Sequence, residues 1–307
     1  MRDVAERAGV SIRTVSRVVN DSGITADDTR DRVLAVIDDL GYRPSKLARG
    51  LVMQRTEVIG LLIPDMLNHY YFEMARAIIN RAEARGYTVL VSNVDEDPKR
   101  EMRALQVFAD YAVDGVILPL SYGNEQSVIR FAEECGPVVA VNPEGLDHPA
   151  ISHIFMARRQ GADAAVDHLA HRGCRSIGMI LSEIVPDSCP RLVGYREALK
   201  RHALPFRDDW VVRTAPSLDS AYDAALRLLR DHAEIDAIFA YNDVLAIGTL
   251  RACKTLGCRV PDRCAVIGFD DLLISSYVSP ALTTVRIDKE LMGHLAVDRL
   301  LDMIDKP

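Results

Sequence analysis

No apolar run in the 307-residue chain approaches the roughly twenty residues that a bilayer-spanning helix needs. The opening residues, MRDVAERAGV, are polar and charged. A membrane role and a secretory signal are therefore not expected, which places the protein in the cytosol. The six cysteines (Cys135, Cys174, Cys189, Cys253, Cys258 and Cys264) include no C-x-x-C pair. A cytosolic chain of this size does not need disulfides, so free thiols are expected. Also missing are the phosphate loop G-x-x-x-x-G-K-[ST], the nucleophile elbow G-x-S-x-G and the zinc motif H-E-x-x-H, so no enzyme chemistry and no cofactor are expected. The one metal-like spacing is His168-x-x-His171-x-x-Cys174. Gly173 would end a helix before Cys174 and no carboxylate is aimed at the pair, so no metal is expected there.

Positive charge is also scarce, with a net charge of −7. Its distribution matters more than its sum. Residues 1–55 hold ten Lys/Arg against eight Asp/Glu, a balance of +2, while the remainder carries −9. A weakly basic head on an acidic body suits a chain whose head alone touches phosphate. What is present is an ordinary globular composition, 49% hydrophobic and 26% charged, long enough for two or three domains.

Three short helices are expected in the head. Arg2 to Ala8 has Val4, Ala5 and Ala8 at helical spacing; Gly9 breaks the run, and Ser11 can cap Ile12 to Asn20. Two helices then meet at a tight corner. After a polar loop, Asp27 to Leu40 carries an apolar stripe of Val33, Val36, Ile37 and Leu40, stopped by Gly41. Pro44 opens a segment, Ser45 to Val52, that Gly50 weakens as an independent helix. In the second helix Ile12, Arg13, Ser16 and Arg17 can share a face while Val15, Val18 and Val19 turn inward. Arginine can read guanine bidentately and serine or threonine can bind phosphate, so this face has the chemistry of a major-groove reader. An ordinary helical hairpin with solvated arginines is the plainer alternative.

From Val58 onward apolar strand-like runs (VIGLLIP, YTVLVSN, DGVILPL, PVVAVN, then SIGMIL, WVVRTA, AIFAYN and CAVIGFD) alternate with amphipathic helical stretches. This rhythm predicts two doubly wound parallel α/β lobes. Ligands of such sheets bind beyond the carboxyl ends of the strands, which singles out Asp65, Asn142, Asn242 and Asp270.

The segments DVAERAGVSIRTVSRVVN and TRDRVLAVIDDLGYRPSKLARGL resemble the head of the LacI family almost residue for residue. The resemblance continues through VIGLLIPD, Asp114-Gly115-Val116-Ile117, Ala240 to Asp243, Gly268-Phe269-Asp270-Asp271 and Ser279-Pro280-x-Leu282-Thr283-Thr284-Val285. It implies a helix-turn-helix head at 1–43, a hinge helix and linker at 44–56, and a two-lobed body at 57–307 like periplasmic sugar-binding proteins. It also implies a homodimer or tetramer on a near-palindromic DNA operator. By that resemblance Ile12 and Arg13 fall at base-reading positions and Arg17 at a DNA-contacting arginine. Ser11, Thr14, Ser16 and Asn20 meet phosphate, and Ala48 and Leu51 belong to a DNA-contacting hinge. In the body Arg191, Asn242 and Asp270 match effector-binding positions, joined by Asn142 and by Tyr70 and Tyr71 as aromatic walls.

Arginine and carboxylate can bracket a polyhydroxyl or anionic ligand, asparagine can donate and accept, and aromatic faces can cover a sugar's C–H surface. A sugar, sugar acid or related metabolite is the expected effector. His69, Pro216 and Asn142 depart from common family residues and alter the pocket wall. A solute-binding protein without a DNA role would also have two lobes, but it has no use for the first 55 residues.

Overall fold

The structure is a computed structural model that describes residues 1–19, 25–42, 55–119, 125–142, 146 and 148–306. The head contributes α1 (Arg2–Ala8), α2 (Ile12–Val19) and α3 (Asp27–Asp39). Val4, Ala5, Ala8, Val15, Val18 and Val33 form its small core. The stripe predicted on α3 is shorter than expected. Val33 is fully buried and Val36 and Ile37 pack at the edge, whereas Leu40 is exposed beyond the helix end. Gly41, at φ 56°, makes the left-handed turn that stops it.

The first lobe is a parallel sheet ordered β2-β1-β3-β4-β5, from β1 (Val58–Ile63), β2 (Thr88–Asn93), β3 (Val116–Pro119), β4 (Val138–Val141) and β5 (Ile151–Ile154). Helices α4 (His69–Ala84), α5 (Pro98–Asp110) and α6 (Glu125–Glu134) alternate with the strands. The pleat of β1 sends Ile59, Leu61 and Ile63 to the core under α4, and Leu62 to the opposite core with Phe108, Val116 and Leu118. Gly60 is required by this packing, since a Cβ there would lie 2.6 Å from the Phe108 ring.

The second lobe repeats the winding. Its order is β10-β9-β8-β6-β7, from β6 (Ile177–Ser182), β7 (Val211–Thr214), β8 (Ala237–Ala240), β9 (Ala265–Asp270) and β10 (Thr283–Arg286). Its helices are α7 (Arg158–His171), α8 (Pro190–Arg201), α9 (Leu218–Asp231) and α10 (Asp243–Thr255). Ile177, Met179 and Leu181 pack with Leu169 and Tyr195 on one face, and Ile180 packs with Trp210 and Leu228 on the other.

Beyond the expected rhythm, a further helix, α11 (Lys289–Asp305), leaves the second lobe and returns to the first. There Met292, Ala296, Val297, Leu300 and Leu301 cover the β1–β4 face beside Met74 and Ile78. A Cβ on Gly293 would lie 2.7 Å from the Cβ of Ala77, so glycine permits this close α4–α11 crossing. Arg81 of α4 adds a two-pronged bond to Asp298, at 3.0 and 2.7 Å.

Candidate functional site

The order of each sheet reverses direction between its first and third strands, β1 and β3 in one lobe and β6 and β8 in the other. Crevices form there at the carboxyl ends of parallel strands. The six predicted residues Tyr70, Tyr71, Asn142, Arg191, Asn242 and Asp270 all line one cavity between the lobes. Tyr70 and Tyr71 sit in the first turn of α4, whose cap Asn68 accepts from the Tyr70 N–H at 3.1 Å. Asn142 directly follows β4, at a φ of 55° that asparagine tolerates. Arg191 opens α8 after Pro190, Asn242 caps α10, and Asp270 ends β9.

The floor of the cavity is an ion pair. Arg191 Nη2 donates to Asp270 Oδ1 at 3.1 Å, with side-chain exposures of only 7% and 6%. Nη1 donates to the Tyr241 carbonyl at 2.9 Å, and the guanidinium lies between the rings of Tyr241 and Phe269, 4.3 and 3.9 Å from their centroids. Nε is buried with no partner among the described residues. Burial pushes the Asp270 carboxyl up to about 7, against the opposing pull of Arg191. Burial likewise raises the Tyr70 and Tyr241 phenols. A buried ion pair is seldom more stabilising than an apolar replacement of the same shape, so this one points to recognition rather than to folding.

Both asparagines turn out to be structural as well. Asn142 Oδ1 accepts from the Met156 N–H at 2.8 Å, and Asn242 Oδ1 accepts from the Leu245 N–H at 2.9 Å. Their carbonyls are thus engaged, and what they offer a ligand is the amide NH₂. The cavity is consequently rich in donors, with Asp270 as its anionic acceptor. Arg158, Tyr241 and Met156 also line it and were not singled out from sequence. Tyr241 was signalled by its place beside Asn242 at the end of AIFAYN; Arg158 lies at the crossing between lobes, where strand-end reasoning does not reach. Asp65, the fourth strand-end residue singled out, is not part of the lining and instead accepts from the Leu67 N–H at 2.8 Å.

The turn after β9 is strained. Asp270 and Asp271 have φ of 118° and 52°, and such positions cost of order 1–3 kcal/mol each and persist only where the surroundings enforce them. Lys289, at the start of α11, enforces this one by donating to the Asp270 and Asp271 carbonyls at 2.5 and 3.0 Å. It also lies 3.2 Å from Glu73 of α4, so the turn is tied to the first lobe. From the side of its own lobe, buried Asp243 accepts from Leu272 N–H, Ser275 Oγ and Thr284 Oγ1 at 2.8, 2.6 and 2.5 Å.

In the head, Gly9 (φ 65°) turns the corner and Val10 N–H bonds back to Ala5 O at 3.0 Å. Ser11 Oγ accepts from the Thr14 N–H at 3.1 Å, the predicted cap. With Val15 and Val18 in the core, α2 leaves Ser11, Ile12, Arg13 and Arg17 exposed and Thr14 and Ser16 half-buried. Ile12 is 46% exposed. Asn20, Ala48 and Leu51 lie outside the described residues.

The metal-like triplet is not assembled as a unit. His171 Nδ1 meets the Asp167 carbonyl at 2.7 Å, and the ligand-type side chains that gather with His171, all within 4.8 Å of one another, are Asp167 and His202, so a carboxylate does stand beside this histidine, contrary to expectation. Hydrogen bonds from His202 and Arg201 hold the Asp167 carboxyl below the usual carboxylate range. Among the described residues no helix is long and apolar enough to cross a membrane.

Comparison with known proteins fits both halves of this picture. Residues 1–45 match the bacterial regulatory proteins of the lacI family, and residues 166–307 match the periplasmic binding protein-like domain. The ribose operon repressor of Halalkalibacterium halodurans is 34% identical over 100% of this chain and 90% of its own length. The chain belongs to the LacI family of transcription regulators. The regulator DegA of Bacillus subtilis is 33% identical over 95% of this chain and 87% of its own. Among solved structures, a lac repressor dimer bound to operator and the anti-inducer ONPF has a TM-score of 0.88 at 29% identity, covering 99% of this chain and 92% of that one. A CelR–cellobiose complex follows at 0.73 and 28%, covering 98% and 92%.

Proposed function

We propose that this LacI-family member is a cytoplasmic repressor, without enzymatic activity, whose operator affinity is set by a carbohydrate-like effector in the interlobe cleft. The carrying observation is the buried Arg191–Asp270 pair: a charged donor with an unpartnered Nε and an acceptor, roofed by two tyrosines. Hydroxyl groups both donate and accept, so a polyhydroxyl ligand can satisfy Nε and Asp270 together while its C–H face covers the rings. Relatives that bind ONPF or cellobiose support the same ligand class. The cavity encloses about 50 Å³, far below the ~300–1,000 Å³ of small-molecule pockets, so entry requires the lobes to part. Ligand-dependent lobe motion is then the mechanical signal passed to the head.

On DNA the exposed face of α2 lies in the major groove. Arg13 and Arg17 supply the hydrogen-bonding readout, and Ile12 can meet a thymine methyl but no purine edge. Ser11, Thr14, Ser16 and Asn20 contact phosphate, and Ala48 and Leu51 act from the hinge at 44–56. This division makes 1–43 the DNA-reading unit and 57–307 the sensing and dimerising unit. A dimer is supported by the limited reach of one head and by the exposed apolar side chains of Phe72, Leu273, Ile274 and Tyr277 on the body.

The test is a thermal-shift screen of the full chain against sugars, sugar acids and nucleobases, followed by duplex-DNA binding with and without each hit. A ligand at a hundred times its dissociation constant stabilises by about 2.7 kcal/mol. A stabilising sugar that leaves operator binding unchanged would refute the coupling, and failure to bind any duplex DNA would favour the solute-binding alternative.

A further inference from the structure

Three thiols separated in sequence meet at the end of the second lobe opposite the cleft. Cys253 lies in the last turns of α10, Cys258 in the loop that follows, and Cys264 immediately before β9. Their Sγ atoms all lie within 4.8 Å of one another. Cys253 and Cys264 are fully buried and Cys258 is half-buried. The loop is held in place by Cys258 N–H donating to Cys253 O at 2.9 Å and Cys264 N–H to Arg259 O at 3.3 Å. A buried cysteine usually acts as a small apolar filler, which explains each burial singly. It does not explain three sulfur atoms converging on one point when each could have packed against the surrounding aliphatic side chains.

Soft thiolates select soft cations, Cu(I) and Zn(II) first among biological metals. Structural zinc is almost always held by four ligands. Among the described residues no histidine or carboxylate joins this group. Three sulfurs alone suit a soft monovalent ion that accepts low coordination. We propose that Cys253, Cys258 and Cys264 form a three-thiolate binding site for Cu(I). Cys258 is the point of entry. Each thiol gives up its proton as it ligates, so binding releases up to three protons per ion. The ion would tie the far end of α10 to the start of β9, the two elements whose other ends carry Asn242 and Asp270.

The test uses the full chain, reduced with a phosphine under anaerobic conditions and titrated with Cu(I) against a chromophoric Cu(I) chelator. One equivalent is retained, with a copper-edge absorption spectrum showing sulfur neighbours only. A Cys135→Ser/Cys174→Ser/Cys189→Ser variant retains it equally. Cys258→Ser, at the most exposed of the three positions, loses more than the roughly 10–100-fold that outer-shell changes cost at metal sites. Cys258→Ala serves the same purpose should the serine variant fold poorly. Unchanged retention in both Cys258 variants, nitrogen or oxygen neighbours, or retention of Zn(II) without Cu(I) would each overturn the proposal.

Discussion

Arg191→Ala removes one partner of a pair that is almost wholly out of water, and the consequence can be worked through. The substitution deletes the Asp270 contact at 3.1 Å, the bond to Tyr241 O at 2.9 Å and the stacking between two rings. Breaking a buried pair by removing one partner costs about 3–5 kcal/mol, because the remaining charge is left uncompensated. Asp270 can escape part of that cost by taking up a proton. Its carboxyl is pushed up to about 7 in the intact protein, and losing the cation pushes it higher. A carboxyl raised in the folded state favours folding at low pH and ceases to do so as pH rises through its folded value. The destabilisation by Arg191→Ala is therefore smallest near pH 6 and largest near pH 8. There, about 3 kcal/mol lowers the melting temperature by about 6–12 °C at roughly 2–4 °C per kcal/mol. Asp270→Asn in the same background removes the stranded charge and recovers most of the loss. The assay is thermal unfolding of both single variants and the double variant at the two pH values. Equal melting of wild type and Arg191→Ala at pH 8, or no recovery in the double variant, would refute the reasoning.

Effector affinity should rise between pH 6 and 8 and be accompanied by proton release, because hydroxyl donors favour the ionised form of a carboxyl pushed up to about 7; calorimetry showing a flat profile would count against Asp270 as acceptor. Asp243→Asn replaces one acceptor of three hydrogen bonds with a donor in a buried site, and it should cost about 1–3 kcal/mol of stability in urea unfolding. Arg13→Ala should lose about 1–3 kcal/mol of operator binding and relax base preference at one position per half-site; a uniform loss across sequences would mean a phosphate contact instead. Leu51→Ala should lower operator affinity and DNA bending without shifting the melting temperature, as expected of a side chain wedged between base pairs; a destabilised protein that still bends DNA would show Leu51 to be core.

Local signals were legible in the sequence. Gly9 and Ser11 announced the corner between α1 and α2, and the alternation of apolar runs announced the buried strands of both sheets, but not the edge strand β10, whose end residues are exposed and carry no such run. Asn142, Asn242 and Asp270 were legible as cavity residues because the carboxyl ends of parallel strands converge, whereas Tyr70, Tyr71 and Arg191 came only with the family resemblance and Asp65, also beyond a strand end, does not line the cavity. What escaped were pairings made at long separation. Lys289 reads as an exposed helix-start lysine, yet it is buried across 18 and 19 residues of chain against the carbonyls of Asp271 and Asp270. The engagement of the Asn142 carbonyl by Met156 depends on where β5 delivers the chain, which no local pattern reports. The three converging thiols are of the same kind, since the C-x₄-C-x₅-C spacing becomes a cluster only once α10 and β9 are packed.

The return of α11 to the first lobe has an evolutionary consequence. Because Met292, Val297 and Leu300 complete the core beneath α4, the first lobe is not a contiguous stretch of gene: the second lobe interrupts it between β5 and α11. A crossover at any single codon between the lobes would hand the recombinant a first lobe lacking its closing helix, or one covered by a helix shaped for a different partner, with Gly293 and Ala77 no longer matched. Sensing specificity in a chain built this way diversifies by changes within the cleft, and the body is inherited as one piece.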